Sequence, residues 1–342
     1  MALLSAKIIR IRQHICTPFV RLSSLYTTIL QKPLEESMKI AVSNKTYEQI
    51  PDLVTSSEES CKKQNPFSFL STFKLSDRTK IVDEMLQSFI PLRPHFHLKT
   101  TYHYLLCYTL QSSHPFPLAL ATLQRMLRSG CTPVPQTHLS LSIAWVHQQQ
   151  QCESVGSVLL GMKSIGYRPD CGTCNFIIKS LCAVDQLEEA VEVLRGMVEV
   201  GCIPDAESYC TIIAAFCEFR KTDKALAMMK EMVKVNLSPR EGTLVKLVAA
   251  LRANKEIWRA AEMTEFLVKK GFHVGFKSFE LLLEGCLEYN EFILAGKMAM
   301  LMTEKGYIPY IKVRQKVVEG LAGVDEWKLA CVVRHRFAEL NS

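Results

Sequence analysis

Ala190, Ala225, Ala260, Ala295 and Ala330 stand 35 residues apart, five times running. Other residues keep the same step. Met197, Met232 and Met302 recur with Leu267 between them, and Gly201, Gly271 and Gly306 recur with Asn236 in the vacant place. Pro169, Pro204, Pro239 and Pro309 mark the ends of periods, and Thr173, Ser208, Thr243 and Ser278 mark their starts. A fixed spacing held this often restricts the chain to an array of like units, because each unit must offer its neighbours the same faces.

Each period reads as two helices. In residues 171–205 the stretch TCNFIIKSLC gathers Phe176, Ile177, Leu181 and Cys182 into an apolar stripe. The stretch LEEAVEVLRGMVEV puts Leu187, Ala190, Val191, Leu194 and Met197 on one face. Asp185 followed by Glu188 has the spacing of a capping pair for the second helix. Gly201 suits a left-handed C-terminal cap, and Pro204 stops the helix from continuing. One such hairpin cannot hide both stripes, whereas a stack of them can. The expected fold is therefore all-α: a right-handed α-solenoid of 35-residue helix-turn-helix repeats with a concave face.

The flanks differ from the repeats. Of the formal net charge of +7, five units come from Lys7, Arg10, Arg12, Arg21 and Lys32, and residues 1–34 contain no acid. Everything from Glu35 onward carries only +2, so the folded part has no strong polyanion signature. A basic, hydroxyl-rich, acid-free start has the composition of an organellar transit peptide, and 1–34 is read as one. Arg near the start favours the mitochondrion, with the chloroplast as the alternative. Residues 35–75, including TSSEESCKKQNP, read as a polar linker. Residues 76–98 read as a capping helix or a degenerate repeat: Ser76 or Asp77 can cap it, Ile81, Met85 and Phe89 recur at helical spacing, and Pro91 and Pro94 end it. No window approaches the roughly 18 apolar residues of a membrane span, so membrane insertion is not expected. The thirteen cysteines follow no secreted disulfide framework and read as reduced, apolar packers.

The unit CGTCNFIIKSLCAVDQLEEAVEVLRGMVEVGCIPD, with its early hydroxyl, second-helix Ala, Met, Gly and Pro-Asp ending, resembles the pentatricopeptide repeat. The tetratricopeptide repeat has a usual period of about 34 and a Trp/Leu-Gly/Tyr signature that is missing here. The resemblance covers 99–342, divided as 99–134, 135–170, 171–205, 206–240, 241–275, 276–310 and a partial unit 311–342. It implies a P-type plant organellar protein that binds single-stranded RNA, with one nucleotide read per repeat by the fifth and last side chains. Those positions are His103/Val134, Leu139/Asp170, Asn175/Asp205, Cys210/Arg240, Val245/Gly275 and Glu280/Tyr310. Asn175/Asp205 matches a common pair, which the family code assigns to uracil. His103, Asp170, Cys210 and Arg240 are further base-reading candidates, and Lys179 and Arg240 are phosphate-contact candidates. The sequence also departs from the family. The second positions hold Gly172, Glu207, Gly242 and Lys277, where an aliphatic is usual. The end of the first helix holds Ala183, Glu218, Ala253 and Glu288, where a basic residue is usual. These acids motivate an alternative reading as a protein-interaction scaffold, such as a component of an organellar ribosome or RNA-processing complex.

Catalytic and metal chemistry find little footing. Cys171-x-x-Cys174 lacks a second pair at ligand spacing, and His95-x-His97 is isolated, so the first reads as packing and the second as surface. No histidine is followed two residues later by Glu, which a zinc deaminase requires. There is no phosphate-cradling Gly loop and no nucleophile elbow. Met228, Met229, Met298, Met300 and Met302 read as core. No catalysis, cofactor, metal or small-molecule substrate is expected.

Overall fold

The structure, a computed structural model, describes residues 24–57, 61, 64–111, 115–151 and 154–340. The regular elements among them are seventeen α-helices and four short 3-10 turns. The expected transit peptide falls largely on residues 1–23, which lie outside the described residues. The chain divides into two units, Met1–His114 with Arg128–Pro133, and Pro115–Leu127 with Val134–Ser342.

The first unit holds α1 (Ser24–Ser43), α2 (Ile50–Ser56), α3 (Leu75–Ser88) and α4 (Leu98–Thr109). The linker expected over 35–75 is folded over its described residues instead. Met38, Ala41 and Val42 recur at helical spacing on α1, and Ile50 and Val54 do so on α2; all are buried. Phe67, Phe69 and Leu70 around a 3-10 turn join the same core. Pro51 sits in the first turn of α2, where its missing N–H costs nothing. Tyr47 donates to Glu84 Oε2 at 2.7 Å, and Asn65 Nδ2 donates to the carbonyl of Tyr104 at 2.8 Å. The polar run in the sequence is thus only a connection between apolar clusters too short to show periodicity. On α3, Lys74 is the N-cap and makes no side-chain cap bond, so neither Ser76 nor Asp77 caps the helix; Asp77 lies in its first turn, where a negative charge suits the helix dipole. His95 is half-buried, with Nδ1 3.0 Å from the carbonyl of Ser129, rather than a free surface histidine.

The second unit starts with α5 (Phe116–Arg128, through Leu127), α6 (Gln136–Gln149) and α7 (Val155–Leu160). Five regular hairpins follow: α8/α9 (Cys171–Ala183, Leu187–Glu199), α10/α11 (Ala206–Glu218, Thr222–Lys234), α12/α13 (Glu241–Ala253, Ile257–Lys269), α14/α15 (Phe276–Glu288, Phe292–Glu304) and α16/α17 (Ile311–Gly323, Trp327–Glu339). Each first helix packs on the first helices before and after it, from α6 to α16, while each second helix packs on its own partner and on the following hairpin. This is a solenoid: contacts stay between neighbours. Ala190, Ala225, Ala260 and Ala295 are fully buried and Ala330 is 4% exposed, so the recurring methyl marks a shared spine. At equivalent places in successive first helices, Thr137, Thr173, Ser208, Thr243 and Ser278 are buried too.

The turns repeat as well. Within the hairpins Asp185, Arg220, Lys255, Asn290 and Asp325 all take positive φ between 56° and 63°. Asp185 is therefore the left-handed turn residue and not a cap; the N-cap of α9 is Gln186, which makes no side-chain cap bond, and Glu188 pairs with Lys224. Between hairpins Gly201 has φ 76°, and Cys202 N–H donates to the carbonyl of Met197 at 2.8 Å, closing the helix end as expected.

Candidate nucleic-acid interface

The best-formed candidate lies where α8 meets the start of α10. Asp205 is the N-cap of α10, and its Oδ1 accepts from Ser208 N–H at 2.9 Å. Ser208 Oγ in turn accepts from Asp205 N–H at 3.1 Å, completing a capping box. Asn175, half-buried on α8, donates through Nδ2 to Asp205 Oδ1 at 3.1 Å. Ser208 Oγ lies 2.6 Å from Asn175 Oδ1 and 3.0 Å from Asp205 Oδ1. Cys171 completes the cluster, 3.5 Å from Asn175 Nδ2 and hydrogen-bonded to Asp205. Partial burial works against ionising Asp205, but the bonds from Ser208, Asn175 and Cys171 outweigh it and hold the carboxyl below its ordinary range. The Cys171 thiol is pushed up to about 11, first by burial and then by its bond to Asp205. Asn175 and Asp205 are thus brought together, ionised at one end and amide at the other, with both side chains reaching solvent.

The other sequence candidates are placed differently. Asp170 caps α8 through Thr173, whose N–H and hydroxyl donate at 2.9 and 2.6 Å, and its sequence partner Leu139 is half-buried on α6 with no polar atom to offer. Cys210 is 4% exposed: its place on α10 faces the hairpin core, so it is not available to read a base. Arg240 is exposed at the N-cap of α12 and lies 3.5 Å from Glu207, so the expected Cys210/Arg240 pair is not formed as a reading pair. Glu280 is 5% exposed, accepts from Tyr310 N–H at 3.3 Å, and is pushed above the usual carboxylate range by burial. Val245 is half-buried. His103 belongs to the first unit, half-buried on α4, and burial lowers its pKa, favouring the neutral ring. Lys179 is exposed on α8.

Two residue sets escape the sequence reading. One is Ser208, for which the Asp205-x-x-Ser208 capping spacing is the available signal. The other is Lys312 and Lys316, one turn apart on α16. They border a groove of about 580 Å³ with Arg252, Glu284 and Glu288, and stand outside every ion pair among the described residues. Arg252 itself is held by Glu284 at 3.0 Å and Glu288 at 2.7 Å, and Lys246 by Glu218 at 2.8 Å. Charges on the first helices of 206–288 are therefore mostly neutralised by one another.

The cysteines pack rather than ligate. Cys182, Cys217 and Cys286 are buried, and burial pushes each thiol up to about 12. Cys174 hydrogen-bonds to Cys202, which lowers the pKa of Cys202 and raises that of Cys174. Among the described residues no group of three or more His, Cys, Asp or Glu side chains is arranged to hold a metal ion. Among those residues no helix is long and apolar enough to cross a membrane.

Stacked hairpins on a 35-residue step, with polar side chains gathered at the junction between them, define a helical-repeat protein. Residues 169–218 match the PPR repeat family and 207–237 match the PPR repeat. A pentatricopeptide repeat-containing protein of Arabidopsis thaliana is 52% identical over 177 residues, covering 52% of this chain and 50% of the relative. Among solved structures, the maize pentatricopeptide repeat protein PPR10 aligns over 84% of this chain and 50% of its own, with 15% identity and a TM-score of 0.39. PPR10 in complex with an 18-nucleotide psaJ RNA element aligns over 99% and 53%, with 16% identity and a TM-score of 0.32. The chain spans about half the length of these relatives.

Proposed function

We propose that this protein binds single-stranded RNA and acts by occupancy, without catalysis, in the processing, stability or translation of organellar transcripts. The observation that carries the reading is the Asn175–Asp205 pair, bonded at 3.1 Å, half-open to solvent, at a junction between two repeats of a family whose maize member is solved with RNA. An amide and an ionised carboxylate side by side offer donors and acceptors to the edge of an unstacked base. Residues 1–34, basic and acid-free, support a mitochondrial destination, with the chloroplast as the alternative.

Binding of the full chain to a panel of short RNAs, compared with the Asn175→Ala/Asp205→Ala variant, tests this. The wild type binds at least one RNA with base preference, and the variant loses that preference. Equal and weak binding by both to every RNA rejects the reading. A second reading, a protein-interaction scaffold in an organellar complex, is favoured by one observation: Lys246 and Arg252 are neutralised by Glu218, Glu284 and Glu288 on the first-helix row. Co-purified proteins that survive RNase treatment favour that alternative.

A further inference from the structure

We infer that Ser208 is a positioning residue that fixes which way round the Asn175 amide faces a bound base. The inference rests on the proposed reading of Asn175 and Asp205 as a base-contacting pair. Ser208 is fully buried and has one hydroxyl proton to give. Its oxygen already accepts from Asp205 N–H at 3.1 Å. The proton then has two acceptors in reach, Asn175 Oδ1 at 2.6 Å and Asp205 Oδ1 at 3.0 Å, and the shorter contact is to the amide. The amide carbonyl is thereby held against Ser208, and the amino group against Asp205 Oδ1 and Cys171 Sγ. Turning the amide over would set its carbonyl oxygen against the carboxylate that now accepts from it.

Orientation decides what such an amide can read. Carbonyl and amino group present one acceptor and one donor in a fixed order. Along the N3–C4 edge uracil offers a ring N3–H beside a carbonyl oxygen, whereas cytosine offers a bare N3 beside an amino group, the reverse order on that edge. A freely turning amide suits both, and a locked one suits only one. Asp205 and Cys171 hold only the amino end; Ser208 is the donor that holds the carbonyl end. Among the described residues no other junction repeats the set. Thr173 caps through Asp170, but the preceding reading position is Leu139, and Ser278 follows Gly275 rather than an acid.

The test uses the full chain and twelve-nucleotide oligoadenylates carrying one central U, C or G. Wild type, Ser208→Ala, Ser208→Thr, Asn175→Ala and Thr173→Ala are compared by binding and by thermal melting. Thr173→Ala removes the equivalent capping hydroxyl one repeat earlier, where no amide depends on it. Loss of one hydrogen bond predicts that Ser208→Ala reduces the preference between U and C about fivefold. Ser208→Thr restores the preference, and Thr173→Ala lowers the melting temperature without changing it. If Ser208→Ala keeps the full preference while Asn175→Ala loses it, Ser208 is only a helix cap; the inference is overturned and the proposed function stands. If the wild type prefers no base, both fall together.

Discussion

Asp205 meets two demands with one oxygen: it caps α10 through Ser208 N–H, and it receives the amino group of Asn175. Both bonds want the ionised form, so its folded pKa lies below the unfolded value of about 3.9. A group depressed in this way adds stability that is complete above the unfolded pKa and is lost as pH falls through the folded one. Asp205→Asn keeps a capping oxygen and removes the charge, so it should cost about 0.3–1 kcal/mol at pH 7, the usual worth of a carboxylate at a helix N-terminus. The gap to the wild type should narrow as pH falls from about 4 and close as it passes through the depressed folded pKa, because the wild-type carboxyl becomes neutral over that range. Urea melts at pH 7 and pH 3 measure it. A gap of the same size at both would mean that the charge of Asp205 contributes nothing.

Packing between neighbouring hairpins follows a rule visible at the element scale: a bulky residue at the start of a second helix meets a small residue on the next first helix. Ile257 on α13 packs over Gly285 on α14, where an added Cβ would lie 2.5 Å from Ile257 Cδ1 and 3.2 Å from its Cγ1. Gly285→Ala gains about 1 kcal/mol of helix propensity but loses about 1–3 kcal/mol to overpacking, since Ile257 is 2% exposed and has little room to turn. A net loss of melting temperature is expected, reversed when Ile257→Val is added; a gain from Gly285→Ala alone would show that the contact is loose. The hairpins themselves were legible in the sequence, because a hydrophobic stripe repeated at fixed spacing survives substitution at any one place. What the period hides is burial at a given rung. Cys210 occupies the same step as Asn175 yet turns inward, because the thiol packs as a small apolar group while the amide keeps its polar partners. The first unit was not legible at 35–75, where Ile50, Val54, Phe67 and Leu70 form a core from pieces too short for a stripe.

At the scale of the molecule, the question is how much of the proposed RNA affinity can come from phosphates. The net +7 overstates the supply, since residues 1–34 hold five of the seven charges and Arg240, Lys246 and Arg252 are engaged by carboxylates. Among the exposed cations on first helices outside the ion pairs of the described residues, Lys179, Lys312 and Lys316 can give three phosphate contacts; Lys277 is exposed on α14 as well. Each phosphate neutralised on a single strand contributes about 0.7 to the slope of log affinity against log salt, so three contacts give a slope of about −2. Lys312→Ala/Lys316→Ala should flatten it to about −0.7 while leaving base preference unchanged, because those lysines lie on α16, well along the stack from the α8–α10 junction. Titrating the affinity of the full chain for one oligonucleotide across salt concentrations reads this directly. A wild-type slope steeper than about −4 would require phosphate contacts beyond these three and would shift the electrostatic footprint toward the basic N-terminus.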